Sequence, residues 1–162
     1  MVEIYSFYIF YRVKLIYSNL YNNNVKNAIE NLTHSTTSHN SSDVDGYKTY
    51  EKLLIGFLNG LKSFSKTICE INEINNFKGI STSYFNTCTT HEYKIHYFET
   101  ITGYKLVCLT SCDVPSLEDT LKFIYTEILT NLIIVNPTYI VGSTIESTDF
   151  DKLIKKSLST NI

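Results

Sequence analysis

The chain has 162 residues, 43% of them apolar and 19% charged, with a formal net charge of -2 and an isoelectric point near 6.1. A chain of this length buries about two thirds of the surface it exposes when unfolded, so it can hold a core without disulfide or metal staples. The composition sets it apart from disordered chains, and the near-neutral charge gives no electrostatic reason to expect nucleic acid or an acidic membrane surface as a partner.

Residues 2–10 (V-E-I-Y-S-F-Y-I-F) read as a strand, and Phe7 to Phe10 are apolar on both faces, which suits a central position in a sheet. Glu3 precedes this run, Arg12 and Lys14 follow it, and no small-residue cleavage site ends it, so it is not a signal peptide. No stretch of eighteen apolar residues occurs, and no transmembrane span is expected. Residues 13–17 pair back as an edge strand, through a turn that lacks the Asn-Gly or Asp-Gly favoured in tight hairpins.

Residues 22–45 are rich in Asn, Ser and Thr and bury too little to offset their ordering entropy, which predicts a mobile surface loop. Residues 47–71 form the clearest helix, with Tyr50, Leu53, Leu54, Phe57, Leu58, Leu61, Phe64 and Ile68 at spacings of three and four. Gly56 and Gly60 lie one turn apart in it, and close approach of the helix backbone to the sheet is the expected compensation for their cost. A third strand is expected within 77–87, best around 81–86, with the polar piece 87–91 as a connection.

Residues 92–112 carry a hairpin around Thr100-Ile101-Thr102-Gly103, whose glycine supplies a positive φ. In its first strand Tyr93, Ile95 and Tyr97 alternate with Lys94 and His96, so one face is drier. In its second, 106–109, every position is apolar and both faces are covered. Ser116 with Asp119 resembles a capping box opening a second helix, with Leu117, Leu121, Ile124, Tyr125, Ile128, Leu129, Leu132 and Ile133 on its stripe. Asn136-Pro137 stops it, and a last amphipathic helix at 147–158 turns Phe150, Leu153, Ile154 and Leu158 inward.

The order β-β-α-β-β-β-α-α predicts an α/β (α+β) fold in one domain over residues 1–162. In it a five-stranded antiparallel sheet carries one helix on one face and two on the other. Chemistry is sparse. Cys88, His91, His96, Cys108 and Cys112 lack zinc-site spacing, and together with Cys69 the cysteines read as free thiols in a reducing compartment. No nucleophile-elbow motif or phosphate-cradling loop occurs, so no catalytic residue, metal or cofactor is expected. The 13 tyrosines suit protein interfaces, and Tyr47, Tyr50, Tyr97 and Tyr139 are the candidate interface residues.

The element order resembles the longin or SNARE-like fold. The run Y-K-I-H-Y-F-E-T-I-T-G-Y-K-L-V at 93–107 resembles the hairpin of the subunit 1 family of the trafficking protein particle complex (TRAPP), its smallest core subunit. The pattern K-L-x-x-G-x-L-x-x-L-K-S-F at 52–64, Asn136-Pro137, Gly142 and the Y-x-F at 8–10 are also similar. Three departures stand out: the first turn lacks the family's Asn-Gly, the 22–45 loop is expanded, and 86–91 holds extra residues. The resemblance implies a non-catalytic building block packed among other small TRAPP subunits, peripheral at the cis-Golgi and endoplasmic reticulum. The assembled complex would act as guanine-nucleotide exchange factor for a Rab-family GTPase in endoplasmic reticulum to Golgi transport. Two rivals are an adaptor small chain of a vesicle coat and, in another class, a profilin-like or PAS-like ligand-binding domain, which would need a pocket rather than a filled core.

Overall fold

The structure, a computed structural model, describes residues 3–24, 27, 44–71 and 84–160, and within the first helix the side chains of residues 50–69. Strands β1 (Ile4–Tyr11) and β2 (Lys14–Leu20) precede helix α1 (Val44–Ile71). Strands β3 (Thr87–Thr89), β4 (Lys94–Glu99) and β5 (Tyr104–Thr110) follow. Helix α2 (Glu118–Phe123) runs directly into a π-helical segment (Ile124–Ile134), and α3 (Thr148–Thr160) ends the described chain. The expected loop at 22–45 lies largely outside the described residues.

The five strands form one antiparallel sheet in the order β2-β1-β5-β4-β3. The two runs that are apolar at successive positions, β1 and β5, are neighbours at its centre, with Phe7 opposite Cys108, Tyr8 opposite Val107 and Ile9 opposite Leu106. Alternation then divides them between two cores. Phe7, Ile9, Leu106 and Cys108 pack with Leu121, Ile124, Leu129, Phe150 and Ile154, whereas Tyr8, Phe10 and Val107 pack with Leu54, Ile55 and Leu58. One helix therefore covers one face and two cover the other, and the fold is of the α+β, longin-like kind.

The turns explain themselves locally. Arg12 takes φ 58° in place of the missing glycine, and its N–H donates to the carbonyl of Gly103, itself at φ 92°, across 2.7 Å. Pairing slips between Ile9 and Phe10 and leaves Ile16 as a bulge, whose carbonyl accepts the N–H of Ile145 at 2.8 Å.

Four local expectations are corrected. The third strand is Thr87–Thr89, in the piece read as a connection; 84–86 is not strand, and 77–83 lie outside the described residues. Three polar-flanked residues suffice because they pair only with β4, at the sheet edge. Strand β4 is covered on both faces: His96 is fully buried, because the start of α2 lies over it and the Leu117 N–H reaches its ring. Ser116 does not cap α2, for Leu117 holds the N-cap position and no side chain bonds there. Finally, the helix widens after Phe123. The Thr130 hydroxyl donates to the carbonyl of Tyr125, five residues back, at 2.8 Å, and the Val135 N–H donates to the carbonyl of Thr130 at 3.0 Å. The stripe of Ile124, Ile128, Leu129 and Ile133 stays buried through the change.

Candidate interface on the first helix

At about 1.5 Å per residue, the 28 residues of α1 reach roughly 42 Å, whereas an eight-residue strand such as β1 reaches only about 26 Å. The helix therefore overhangs the sheet it covers, and a sheet-facing stripe spans only about 100° of its circumference. Its residues do not all fit beneath it. Leu54, Ile55, Leu58 and Cys69 are buried, whereas Leu53, Phe57, Phe64 and Ile68, all expected to point inward, are 64%, 44%, 66% and 42% exposed. The four exposed side chains follow one another at helical spacing and define a second apolar face, about a third of a turn round from the first.

The two glycines belong to that outer face. A Cβ built at Gly56 or at Gly60 meets nothing within 4 Å, which overturns the expectation that they let the helix approach the sheet. Gly56 and Gly60 stand three and seven residues after Leu53, in the gaps between Leu53, Phe57 and Phe64. Each costs about 1 kcal/mol against alanine, and nothing within the described chain offsets it. What the glycines open is a shallow trough of bare backbone flanked by two phenylalanines, facing solvent.

A polar network fixes the azimuth at which α1 presents this face. Lys62 Nζ lies 2.8 Å from the Glu99 carboxylate, to which the Tyr97 hydroxyl also donates at 2.8 Å. Lys105, opposite Glu99 in the β4–β5 register, stands 4.0 Å from the same carboxylate and donates to the Arg12 carbonyl at 2.9 Å. Burial lowers the Lys105 ammonium from its usual range, Glu99 opposes that shift, and Lys62 adds to it. Rotating the helix would strand a buried carboxylate, so the outer face is held where it is.

The tyrosines proposed from sequence fall in four different settings. Tyr97 is fully buried beneath α1, stacked on Phe85 with ring centroids 4.6 Å apart, and burial pushes its phenol far up. It is a core residue and no interface residue, because strand alternation carries it into the α1 layer. Tyr50 is half-buried, its ring 6.2 Å from that of Tyr8, and lies beside the outer face. Tyr139 is half-buried with its hydroxyl donating to the Ser143 carbonyl at 3.0 Å. Tyr47 lies in α1, and its side chain is outside the described residues.

Among the described residues no group of three or more His, Cys, Asp or Glu side chains could hold a metal ion, and Cys88, Cys108 and Cys112 are free thiols. Phe7, Phe10, Phe98 and Phe150 fill the layers between sheet and helices, and the depressions described include open grooves beside β2, between α2 and α3, and along the loop after the π segment. No described helix is long and apolar enough to cross a membrane.

A family model for the Sybindin-like family matches residues 4–161 of this chain. The chain belongs to the Sybindin-like family. Among its sybindin-like relatives, trafficking protein particle complex subunit 1 of Dictyostelium discoideum is 36% identical over 100 residues, 62% of this chain and 66% of that protein. The Homo sapiens protein of the same name is 32% identical over 96 residues, 59% of this chain and 61% of its own length. Transport protein particle subunit bet5 of Schizosaccharomyces pombe is 28% identical over 139 residues, 85% of this chain and 80% of that protein. The aligned stretch thus spans less than two thirds of the Dictyostelium and human proteins. These relatives carry the names of subunits of a trafficking particle.

The outer face of α1 was present in the sequence as an excess. Eight apolar positions and two glycines are more than one sheet-facing stripe can absorb.

Proposed function

We propose that this chain is a non-catalytic subunit of a TRAPP-type vesicle tethering complex, seated against another small subunit through the outer face of α1. The observation that carries the reading is the line Leu53, Gly56, Phe57, Gly60 and Phe64, apolar or bare and unoccupied by the described chain. Exposed apolar faces of this kind mark association surfaces, and large aromatic side chains are the anchors of such interfaces. The names of the sybindin-like relatives, subunits of a trafficking protein particle, support the choice of complex.

On this reading the chain performs no reaction and binds no cofactor. The assembled complex acts as exchange factor for a Rab-family GTPase in endoplasmic reticulum to Golgi transport, and the chain resides with it, peripheral at the cis-Golgi and endoplasmic reticulum. Exchange then works by differential affinity: a composite surface that prefers the nucleotide-free GTPase shifts its equilibrium toward release.

The test is mild affinity purification of the tagged chain from its own cells, with mass spectrometry of what stays bound. Small TRAPP-type subunits near equal stoichiometry are expected, and a chain carrying Phe57→Glu and Phe64→Glu is expected to lose its direct neighbour. Recovery of coat adaptor large chains, or of the chain alone, overturns the reading.

A further inference from the structure

Three loops meet at one end of the sheet, and they are bound together there. The turn between β1 and β2 touches the turn between β4 and β5 through the bond from the Arg12 N–H to the Gly103 carbonyl, and the Tyr11 and Tyr104 rings lie 4.9 Å apart behind it. The loop after the π segment closes on the same rings. A Cβ at Gly142 would stand 3.0 Å from Tyr11 Cδ1, so the backbone of that loop lies directly on the Tyr11 ring. Thr102 Oγ1 lies 3.0 Å from the Tyr125 hydroxyl and ties the second turn to the helix.

What these braced loops present is contrary to turn chemistry, which favours Gly, Asn, Asp, Pro and Ser. Ile140, Val13 and Ile101, at 76%, 69% and 68%, are the three most exposed of the large apolar side chains described, one on each loop, and Val141 beside Ile140 is 55% exposed. Arg12 and Lys14, both exposed, flank Val13. No carboxylate occurs in 11–14, 100–103 or 136–143, and Glu99, which adjoins the second of these, is buried and held by Lys62 and Lys105. The net charge of the whole chain averages over this basic, aliphatic end and conceals it.

We propose that this end of the sheet docks on an anionic lipid bilayer. Val13, Ile101, Ile140 and Val141 enter the boundary between headgroups and acyl chains, while Arg12 and Lys14 lie at the level of the lipid phosphates. Separate tips standing mostly free in solvent do not make the packed, contiguous core that a protein interface needs, whereas a fluid bilayer closes around each of them. Cations beside the tips, with no carboxylate among them, complement an acidic leaflet. The inference uses no residue of α1 and does not rest on the assembly reading.

The experiment is flotation of the full chain with vesicles of phosphatidylcholine containing about one third phosphatidylserine, and with phosphatidylcholine alone, at low salt. The wild type should float with the anionic vesicles, and partitioning should fall about tenfold for Val13→Ser combined with Ile140→Ser, and by a similar factor for Arg12→Gln combined with Lys14→Gln. All four positions are exposed, so thermal unfolding should be unchanged, and the assembled complex purified from cells carrying the same variants gives a second measurement that does not depend on handling the chain alone. A wild type that stays off anionic vesicles in both forms overturns the proposal, as does flotation equal in wild type and variants. Loss of a protein neighbour from the Val13→Ser, Ile140→Ser complex without any vesicle binding overturns it in favour of a protein docking surface.

Discussion

His96 Nδ1 accepts the backbone N–H of Leu117 at 3.3 Å while its Nε2 lies 2.9 Å from Thr110 Oγ1, so one imidazole joins β4, β5 and the entry to α2. The Thr110 hydroxyl donates onward to the Ser111 carbonyl at 3.0 Å. Since Nδ1 accepts, the proton sits on Nε2 and is donated to Thr110. The ring satisfies the backbone N–H of the residue that opens α2, from another part of the chain.

That ring must be neutral. Burial first, and the nearby Lys94 charge second, lower its pKa from 6.5 to about 4. An unfolded chain takes up a proton near pH 6.5 that the folded chain refuses until about pH 4, so the contribution is complete above 6.5 and is lost as pH falls through that window. The loss should approach about 1.4 kcal/mol per pH unit. Urea unfolding followed from pH 7 to 4.5 should show this slope in the wild type and a shallower one in His96→Gln; equal slopes would refute the neutral, buried ring.

Cys108 sits at the centre of β5 against the helices, fully buried, and burial pushes its thiol up. Cys108→Asp should leave the chain unfolded or aggregated, because a carboxylate there has no partner. Cys108→Ala should cost only about 1–2 kcal/mol. A well-folded, monomeric aspartate variant in circular dichroism and gel filtration would contradict the central placement of β5.

The outer face of α1 yields a prediction with opposite signs in two assays. Gly60→Ala has open space and helical backbone, so it should stabilise the isolated chain by about 0.5–1 kcal/mol. The same change should weaken recovery of the neighbouring subunit, whose side chains would occupy the trough. Gly142→Ala is the contrasting control: at φ 82°, with the Tyr11 ring at 3.0 Å, it should destabilise by about 1–2 kcal/mol. Thermal denaturation of the two variants should therefore move in opposite directions.

Glu99→Gln should destabilise by roughly 3 kcal/mol, because Lys105 would remain buried without its counter-charge. Adding Lys105→Met should recover most of that loss, since the pair is then replaced by groups that need no ionic partner. A double-mutant cycle in which the two changes simply add would show that Glu99 and Lys105 do not depend on each other.

How much of this was legible in the sequence depended on what each residue's neighbours were. The sheet and its central pair could be read from β1 and β5 because both strands are apolar at successive positions, and Gly103 gave away its turn. His96 misled because strand alternation beside Lys94 implies a wet face, and the cover over it comes from Leu117, a residue distant in sequence. Tyr97 lies on the dry face that the alternation indicates, and its hydroxyl, which suggested an interface, is satisfied by Glu99. In α1 the period and the excess of apolar positions were legible, but not which of them face the sheet, since one broad stripe and two neighbouring stripes both recur at three and four. The exposed Val13, Ile101 and Ile140 carried no periodic signal at all, for only the fold brings their loops together.

Strand β1 has one further consequence, which concerns time. It is synthesised before its partner on the inner side, β5, which lies about a hundred residues downstream. At about 5–20 residues per second, the apolar run from Phe7 to Phe10 waits roughly 5–20 s with one edge unpaired. The β1–β2 hairpin forms in microseconds and shields only the other edge. The nascent chain therefore passes through an interval in which a strand bound for the core is its most adhesive one, and a subunit or chaperone that meets it then meets the core and not the surface.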